Sequence, residues 1–366
     1  MEVQAQLLSM NNAGLHTIQQ DAINLLKELI STPSLSKEED QTAELISRFL
    51  ADRNIEFSRV GNNVFAFNAA FDKDKPTILL NSHHDTVKPN PQYIKDPFSP
   101  VVEEGKLFGL GSNDAGGCLV SLLAVFVHFY SAKNLRYNIG IAATAEEEIS
   151  GIGGIEMTIP HLPKIDFAIV GEPTQMQMAV AERGLMVLDC VSHGKAGHAA
   201  RNEGENSIYK ALKDIDWFRT YQLDKVSELL GPSKMSVTVI ETENKAHNVV
   251  PATCRFVVDT RINELYTFEE VIGIIKANIT SEVKPRSTRL RSTSIALDHP
   301  IVKAGLSLGR TYYGSPTTSD KALMPFPALK MGPGDSARSH TADEYIYLSE
   351  INEGIQLYIQ LLTQIL

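Results

Sequence analysis

The stretch Thr77–Asp85, TILLNSHHD, decides how the rest of the chain is read. A short apolar run stops on two histidines and an aspartate, side-chain types that hold metal ions or move protons. If the run is a strand, successive side chains point to opposite faces, so His83 and Asp85 share one side and His84 takes the other. The doublet then resolves into one histidine available to a site, an aspartate beside it, and a second histidine that packs or hydrogen-bonds on the opposite face.

Upstream of this stretch, Ala22, Leu25, Leu26, Leu29 and Ile30 recur at helical spacing, and STPSL ends that helix. Ser36 and Glu39 then predict a capping box for a second helix. Downstream, short apolar runs alternate with helix-like ones: NVFAF, TILLNS, the long GGCLVSLLAVFVHFY, NIGIAAT and DFAIVGEP. That alternation predicts an α/β domain around a mostly parallel central sheet. From about Met178 the order becomes strand, helix, two strands, helix, strand, with Thr267 and Glu270 capping the second helix. This is the split βαβ arrangement of a ferredoxin-like α+β module. After it the α/β texture returns and closes on an amphipathic helix from Ser349. The predicted organisation is one domain formed by residues 1–178 and 294–366, interrupted by an inserted domain over 179–293.

A chain of 366 residues exceeds the roughly 100 to 200 residues of a single domain and suits this division. The formal charge of −10 argues against a nucleic-acid or anionic-membrane partner, which would call for clustered Lys and Arg, and favours a small molecule. The first residues carry no basic segment followed by an apolar one, and no long uncharged apolar run follows, so the expected location is cytoplasmic. Cys118, Cys190 and Cys254 are far apart, without CxxC spacing, and are expected to stay reduced.

Three apolar runs are each followed by acids or histidine: His83 and Asp85 after TILLNS, Glu146, Glu147 and Glu148 after NIGIAAT, and Glu172 after DFAIVG. Open α/β sheets bind ligands at the carboxyl ends of their strands, so the three clusters are expected to share one rim. Asp114, set among glycines in GLGSNDAGG, adds a fourth acid where the backbone can turn sharply before a helix. Taken singly, a strand-end histidine is commonly a hydrogen-bonding residue, and three consecutive glutamates are commonly a solvated face. Together, so many carboxylates would repel one another unless protonated or bridged by cations.

The motifs H-x-D-x-V (His83, Asp85, Val87), G-x-x-D-x-x-G-G (Gly111 to Gly117), T-A-E-E-E (Thr144 to Glu148), G-E-P-T (Gly171 to Thr174) and a late G-P-G…H-T (Gly332 to Gly334, His340, Thr341) follow in order over nearly the whole chain. This pattern resembles the acetylornithine deacetylase, succinyl-diaminopimelate desuccinylase and aminoacylase family of zinc metallohydrolases. The resemblance implies a zinc-exopeptidase-like catalytic domain holding two Zn²⁺ ions per subunit, with Co²⁺ as a substitute. Asp114 would bridge the ions; His83 and Glu172 would hold one, Glu148 and His340 the other. Glu147 would be the general base, and Asp85 would orient the His83 ring. The family commonly has Asp-Glu-Glu where this chain has Glu146, Glu147 and Glu148, which leaves the base and the ligand in place.

In the inserted domain, His198 of GKAGHAARNEG matches the family histidine that stabilises the oxyanion, often across a dimer interface. Asn248 in HNVVPA and Arg261 in VVDTR match residues that bind the substrate's carboxylate and acyl region, although Arg261 at a strand end also suits a structural salt bridge. Thr318 and Ser319 stand where the family has a Gly-Thr-Ser-Asp turn touching substrate, with Thr317 in place of the glycine. Glu182, Arg183 and Gly184 are family-like and equally suited to a junction salt bridge. The implied protein is a homodimeric N-acyl amino-acid deacylase, acting on an N-acetyl- or N-succinyl-ornithine or citrulline in arginine biosynthesis. Succinyl-diaminopimelate desuccinylase and a di- or tripeptidase are the alternatives within the clan. A non-catalytic metal- or peptide-binding protein is the remoter one, and the intact Glu147 argues against it.

Overall fold

The structure, a computed structural model, describes residues 12–201 and 203–366. The chain forms two compact units: residues up to Val180 with Ser294–Tyr313 and Ser319–Leu366, and Ala181–Thr293 with Gly314–Thr318.

The first unit is built on a sheet of strands β1 (Phe57–Val60), β2 (Asn63–Phe67), β3 (Thr77–His83), β4 (Asn138–Thr144), β5 (Phe167–Val170), β6 (Met178–Glu182, of which Met178, Ala179 and Val180 belong to this unit) and, from after the insertion, β11 (Ala328–Lys330). Their order is β1-β2-β4-β3-β5-β11-β6. The middle four, β4-β3-β5-β11, are parallel, and antiparallel pairings flank them on both sides. All residues of β3, β4 and β5 are buried, which is why these strands read as unbroken apolar runs rather than as alternating ones. One face carries the helix α3 (Gly117–Tyr130), which packs on β3 and β4 and is covered by α1 (Asn12–Ile30) and the C-terminal α7 (Leu348–Thr363). Phe65, Leu79, Ala142, Ile155, Ala168 and Met324 form a second cluster in the same unit. Among the described residues only Ser112–Tyr130 is a helical stretch long and apolar enough to cross a membrane, and most of it is buried in this core.

The second unit contains β7 (Gly184–His193), α4 (Ser207–Thr220), β8 (Lys234–Glu241), β9 (Thr253–Ile262), α5 (Phe268–Asn278) and β10 (Glu282–Pro285). Its antiparallel sheet has the order β8-β9-β7-β10, the order of a ferredoxin-like module. Leu188, Cys190, Phe256 and Val258 of the sheet pack with Phe218 of α4 and Val271 and Ile275 of α5. Thr267 and Glu270 make the expected capping box: the Thr267 hydroxyl accepts from the Glu270 amide, and the Glu270 carboxylate from the Thr267 amide.

The other expected box does not form. Helix α2 (Asp40–Ala51) starts one residue after Glu39 with no side-chain cap. Ser36 is drawn away because its hydroxyl donates to Asp85 Oδ2 at 2.7 Å, and Glu39 accepts from the Lys37 amide instead. The three cysteines are free and buried, as expected from their spacing.

Candidate metal centre

Parallel pairing in register brings the strand ends of the first unit to one rim. His83, the last residue of β3, lies opposite Thr144 at the end of β4, and Val170 at the end of β5 pairs with Asn81 on one side and Lys330 of β11 on the other. The loops leaving these ends carry Glu147 and Glu148, Glu172, and His340. The doublet is split by the pleat. His84 turns to the other face, where Nδ1 lies 2.9 Å from the Thr42 hydroxyl and Nε2 2.9 Å from the Asn62 carbonyl.

On the rim side, His83 Nε2 faces Asp114 Oδ1 at 3.4 Å and Glu147 and Glu172 at 3.8 Å. His340 Nε2 lies 3.0 Å from Glu148 Oε2 and 3.7 Å from Asp114 Oδ2. Two sets of donor atoms, His83 with Asp114 and Glu172, and Asp114 with Glu148 and His340, each lie within 4.8 Å of one another and share Asp114. Imidazole and carboxylate donors of this kind suit a borderline divalent ion. His83 Nε2 is buried without a hydrogen-bond partner, which a metal ion would supply.

Consecutive glutamates reach one site because Glu147–Ile149 is a single 3₁₀ turn entered by Glu146 in the left-handed conformation, φ 55°. Asp85 holds that turn: its carboxylate accepts from the Glu147 amide at 3.0 Å and the Glu148 amide at 3.2 Å. The His83 ring is held mainly by the Asp85 backbone, with Nδ1 3.0 Å from the carbonyl and 3.4 Å from the carboxylate. Asp85 therefore positions the glutamate turn as well as the imidazole. Glu146 folds back instead, accepting from the Gly153 amide, and a Cβ at Gly151 would stand 1.9 Å from its carboxylate. The glycines of SGIGG make room for it.

The electrostatics follow from burial of many acids together. Burial pushes Glu147 well above the usual carboxylate range, opposed by His83 and reinforced by Glu172, Asp320 and Glu148. Burial raises Glu172 to about 8, with Lys330 pulling the other way. The hydrogen bond to Glu148 raises His340 to about 9. Burial opposes charge on His83, but Asp114, Asp85 and Glu147 outweigh it and hold the imidazole well above its ordinary value. A divalent cation would relieve the repulsion that these shifts record.

A sequence model of the peptidase family M20/M25/M40 matches residues 79–364. The chain belongs to the M20 peptidase family. Among curated M20-like relatives, a succinyl-diaminopimelate desuccinylase of Wolbachia pipientis subsp. Culex pipiens is 26% identical, over 92% of this chain and 92% of the relative. A second desuccinylase, from Ruegeria sp., is 27% identical over 69% of this chain and 68% of its own. The M20 fold is also that of an aminopeptidase from Bacillus cereus, with a TM-score of 0.77 at 19% identity over 95% of this chain and 98% of that one. A dinuclear metal-binding M20 peptidase from Bacillus subtilis gives 0.71 at 17% identity, over 95% and 98%. The protein is thus a metal-dependent hydrolase of the M20 family with the expected architecture. The named relatives do not single out the acetylornithine deacetylases.

The other residues expected in an M20 site lie mostly in the second unit. His198 and Asn248 meet there: His198 pairs with Val249 in a two-stranded ribbon, and the Ala199 amide donates to the Asn248 carbonyl at 3.0 Å. Arg261 is engaged by Asp259 of its own strand, at 2.9 and 3.2 Å. The Thr318 hydroxyl donates to the Arg183 carbonyl, while Ser319, in the first unit, is buried at the start of the turn Asp320–Leu323. Sequence reasoning missed Glu344. This carboxylate is 2% exposed, is raised to about 8 by burial and Asp114, and accepts backbone N–H groups from the Asp114 loop.

Proposed function

We propose that this protein hydrolyses the amide bond of an N-acyl amino acid, releasing the free amino acid and the acyl carboxylate. The observation that supports it best is the pair of donor sets sharing Asp114, with Glu147 beside them. In this reading His83, Asp114 and Glu172 hold one zinc ion and Asp114, Glu148 and His340 a second, with Co²⁺ as a substitute. The bound ions would polarise the amide carbonyl and lower the pKa of water toward about 7. Glu147 takes a proton from the attacking water and returns it to the leaving amine, a role suited to a carboxyl group raised by burial. Asp85 keeps Glu147 and Glu148 turned to the site. His198 would stabilise the oxyanion, and Asn248 and Arg261 would bind the substrate's carboxylate and acyl region. Thr318 and Ser319 would touch substrate. For Arg261 to do so, its guanidinium must share or exchange Asp259. The second unit is proposed as a homodimerisation surface; a monomeric mass by light scattering overturns that.

The curated relatives named above favour succinyl-diaminopimelate as the substrate type over the ornithine or citrulline type expected from the motifs. The deciding experiment is a hydrolysis panel of N-succinyl-diaminopimelate, N-acetyl- and N-succinyl-ornithine and citrulline, and di- and tripeptides, with added Zn²⁺ or Co²⁺. Glu147→Gln is expected to lower kcat by about 10²- to 10⁴-fold with metal content unchanged. Activity that survives both chelation and this substitution would sink the mechanism.

A further inference from the structure

Four backbone N–H groups of the loop leading into α3 end on one residue. Gly109 donates to the Glu344 carbonyl at 3.0 Å, Gly111 to Oε2 at 3.1 Å, and Asn113 and Asp114 to Oε1 at 2.8 and 2.9 Å. This loop cannot pair these groups in a regular helical ladder: Gly111 is left-handed at φ 73°, and Asp114 has φ −117° and ψ 98°. Buried N–H groups need partners, and three directed at one side chain need a group with acceptors only, which among neutral or charged side chains means a carboxylate. Glu344 follows His340 by four residues, in a loop where His340 and Asp343 are themselves left-handed at φ 60° and 52°. One side chain therefore ties the loop that carries Asp114 to the loop that carries His340.

We propose that Glu344 is a positioning residue that sets Asp114 against His340 and so fixes the spacing of the two metal positions. The inference rests on the reading that Asp114 and His340 hold metal, and it assigns Glu344 no contact with substrate or ion. A glutamine would keep the size but direct an NH₂ group at a backbone N–H, so the loop would have to move. An aspartate would keep the charge and withdraw it by one methylene.

The test uses the full chain, stripped of metal and titrated with Co²⁺ by calorimetry and visible absorption, for the wild type, Glu344→Gln and Glu344→Asp. The expected result is two Co²⁺ bound by the wild type, and in Glu344→Gln a loss of about 10- to 100-fold in affinity for at least one, with an altered Co²⁺ spectrum. Glu344→Asp should recover part of that loss, and it carries the test if the glutamine variant does not fold. Unchanged Co²⁺ affinity and spectrum in the folded variants, even with a lowered Tm, overturn the positioning role. A wild type that binds no Co²⁺ overturns the metal reading, and the inference with it.

Discussion

His83 and His84 are neighbours with opposite fates, because the extended backbone runs one residue past β3, where the His84 amide donates to the Thr144 carbonyl at 2.9 Å, and successive side chains alternate faces. His83 presents an unpartnered Nε2 to three carboxylates, whereas both ring nitrogens of His84 have partners in Thr42 and Asn62. Removing each should therefore break a different property. His83→Ala is expected to abolish metal-dependent hydrolysis and lower metal content by mass spectrometry. His84→Ala should keep most of the activity and both metals but lose about 1 to 3 kcal/mol of stability in a urea titration, because buried polar partners are left unsatisfied. Equal loss of activity in the two variants would refute this division. At the same scale, Asp85 shows why a residue's role is not read from its motif partner alone: it stands two residues from His83, and its carboxylate serves the backbone of Glu147 and Glu148.

Among the elements, the two sequence-level capping boxes make a controlled pair. Thr267 and Glu270 form the local box because the outside partner, Lys225 Nζ at 3.0 Å, takes Glu270 Oε1 and leaves Oε2 to the Thr267 amide. Ser36 has a competitor from a different part of the chain, the Asp85 carboxylate, and the charge-assisted bond displaces the local one. Thr267→Ala should cost about 0.5 to 2 kcal/mol of stability, seen as a lower urea midpoint, with metal content unaltered. If metal content falls with it, α5 does more than support its own unit. The same contrast separates the strands. β3, β4 and β5 are recognisable from continuous apolar runs because both faces are covered, while β7 and β9 show alternating burial because only one face packs on helices.

For the whole molecule, gathering acids at one sheet rim makes stability depend on pH and on metal. Glu172 titrates at about 8 and His340 at about 9, each above the value of the same group in an unfolded chain. A raised folded value means that the metal-free native state holds the proton more tightly, so the contribution is present below the unfolded pKa and is lost as pH rises through the folded one. Metal-stripped protein should accordingly lose Tm on going from about pH 6 to about pH 9, while a bound divalent ion replaces the protons and reduces the loss. The gap in Tm between zinc-loaded and stripped protein should widen with pH in thermal scans. Parallel profiles would show that these groups do not face a metal.

The fold class, the insertion and the rim of acids follow from the sequence by itself, because periodicity of two or of 3.6 residues and the positions of acids after apolar runs are local properties of the chain. The proximity of His83 to Asp114, and of Glu148 to His340, was legible only through ordered motifs, since the partners are far apart in sequence. Glu344 and Ser36 were not legible at all. An isolated acid or serine is compatible with many surfaces, and only the tertiary structure decides which buried amide or carboxylate comes within reach. Strand register then sets which side chains share the rim, and the irregular backbone at Gly111–Asp114 creates the orphan N–H groups that Glu344 satisfies.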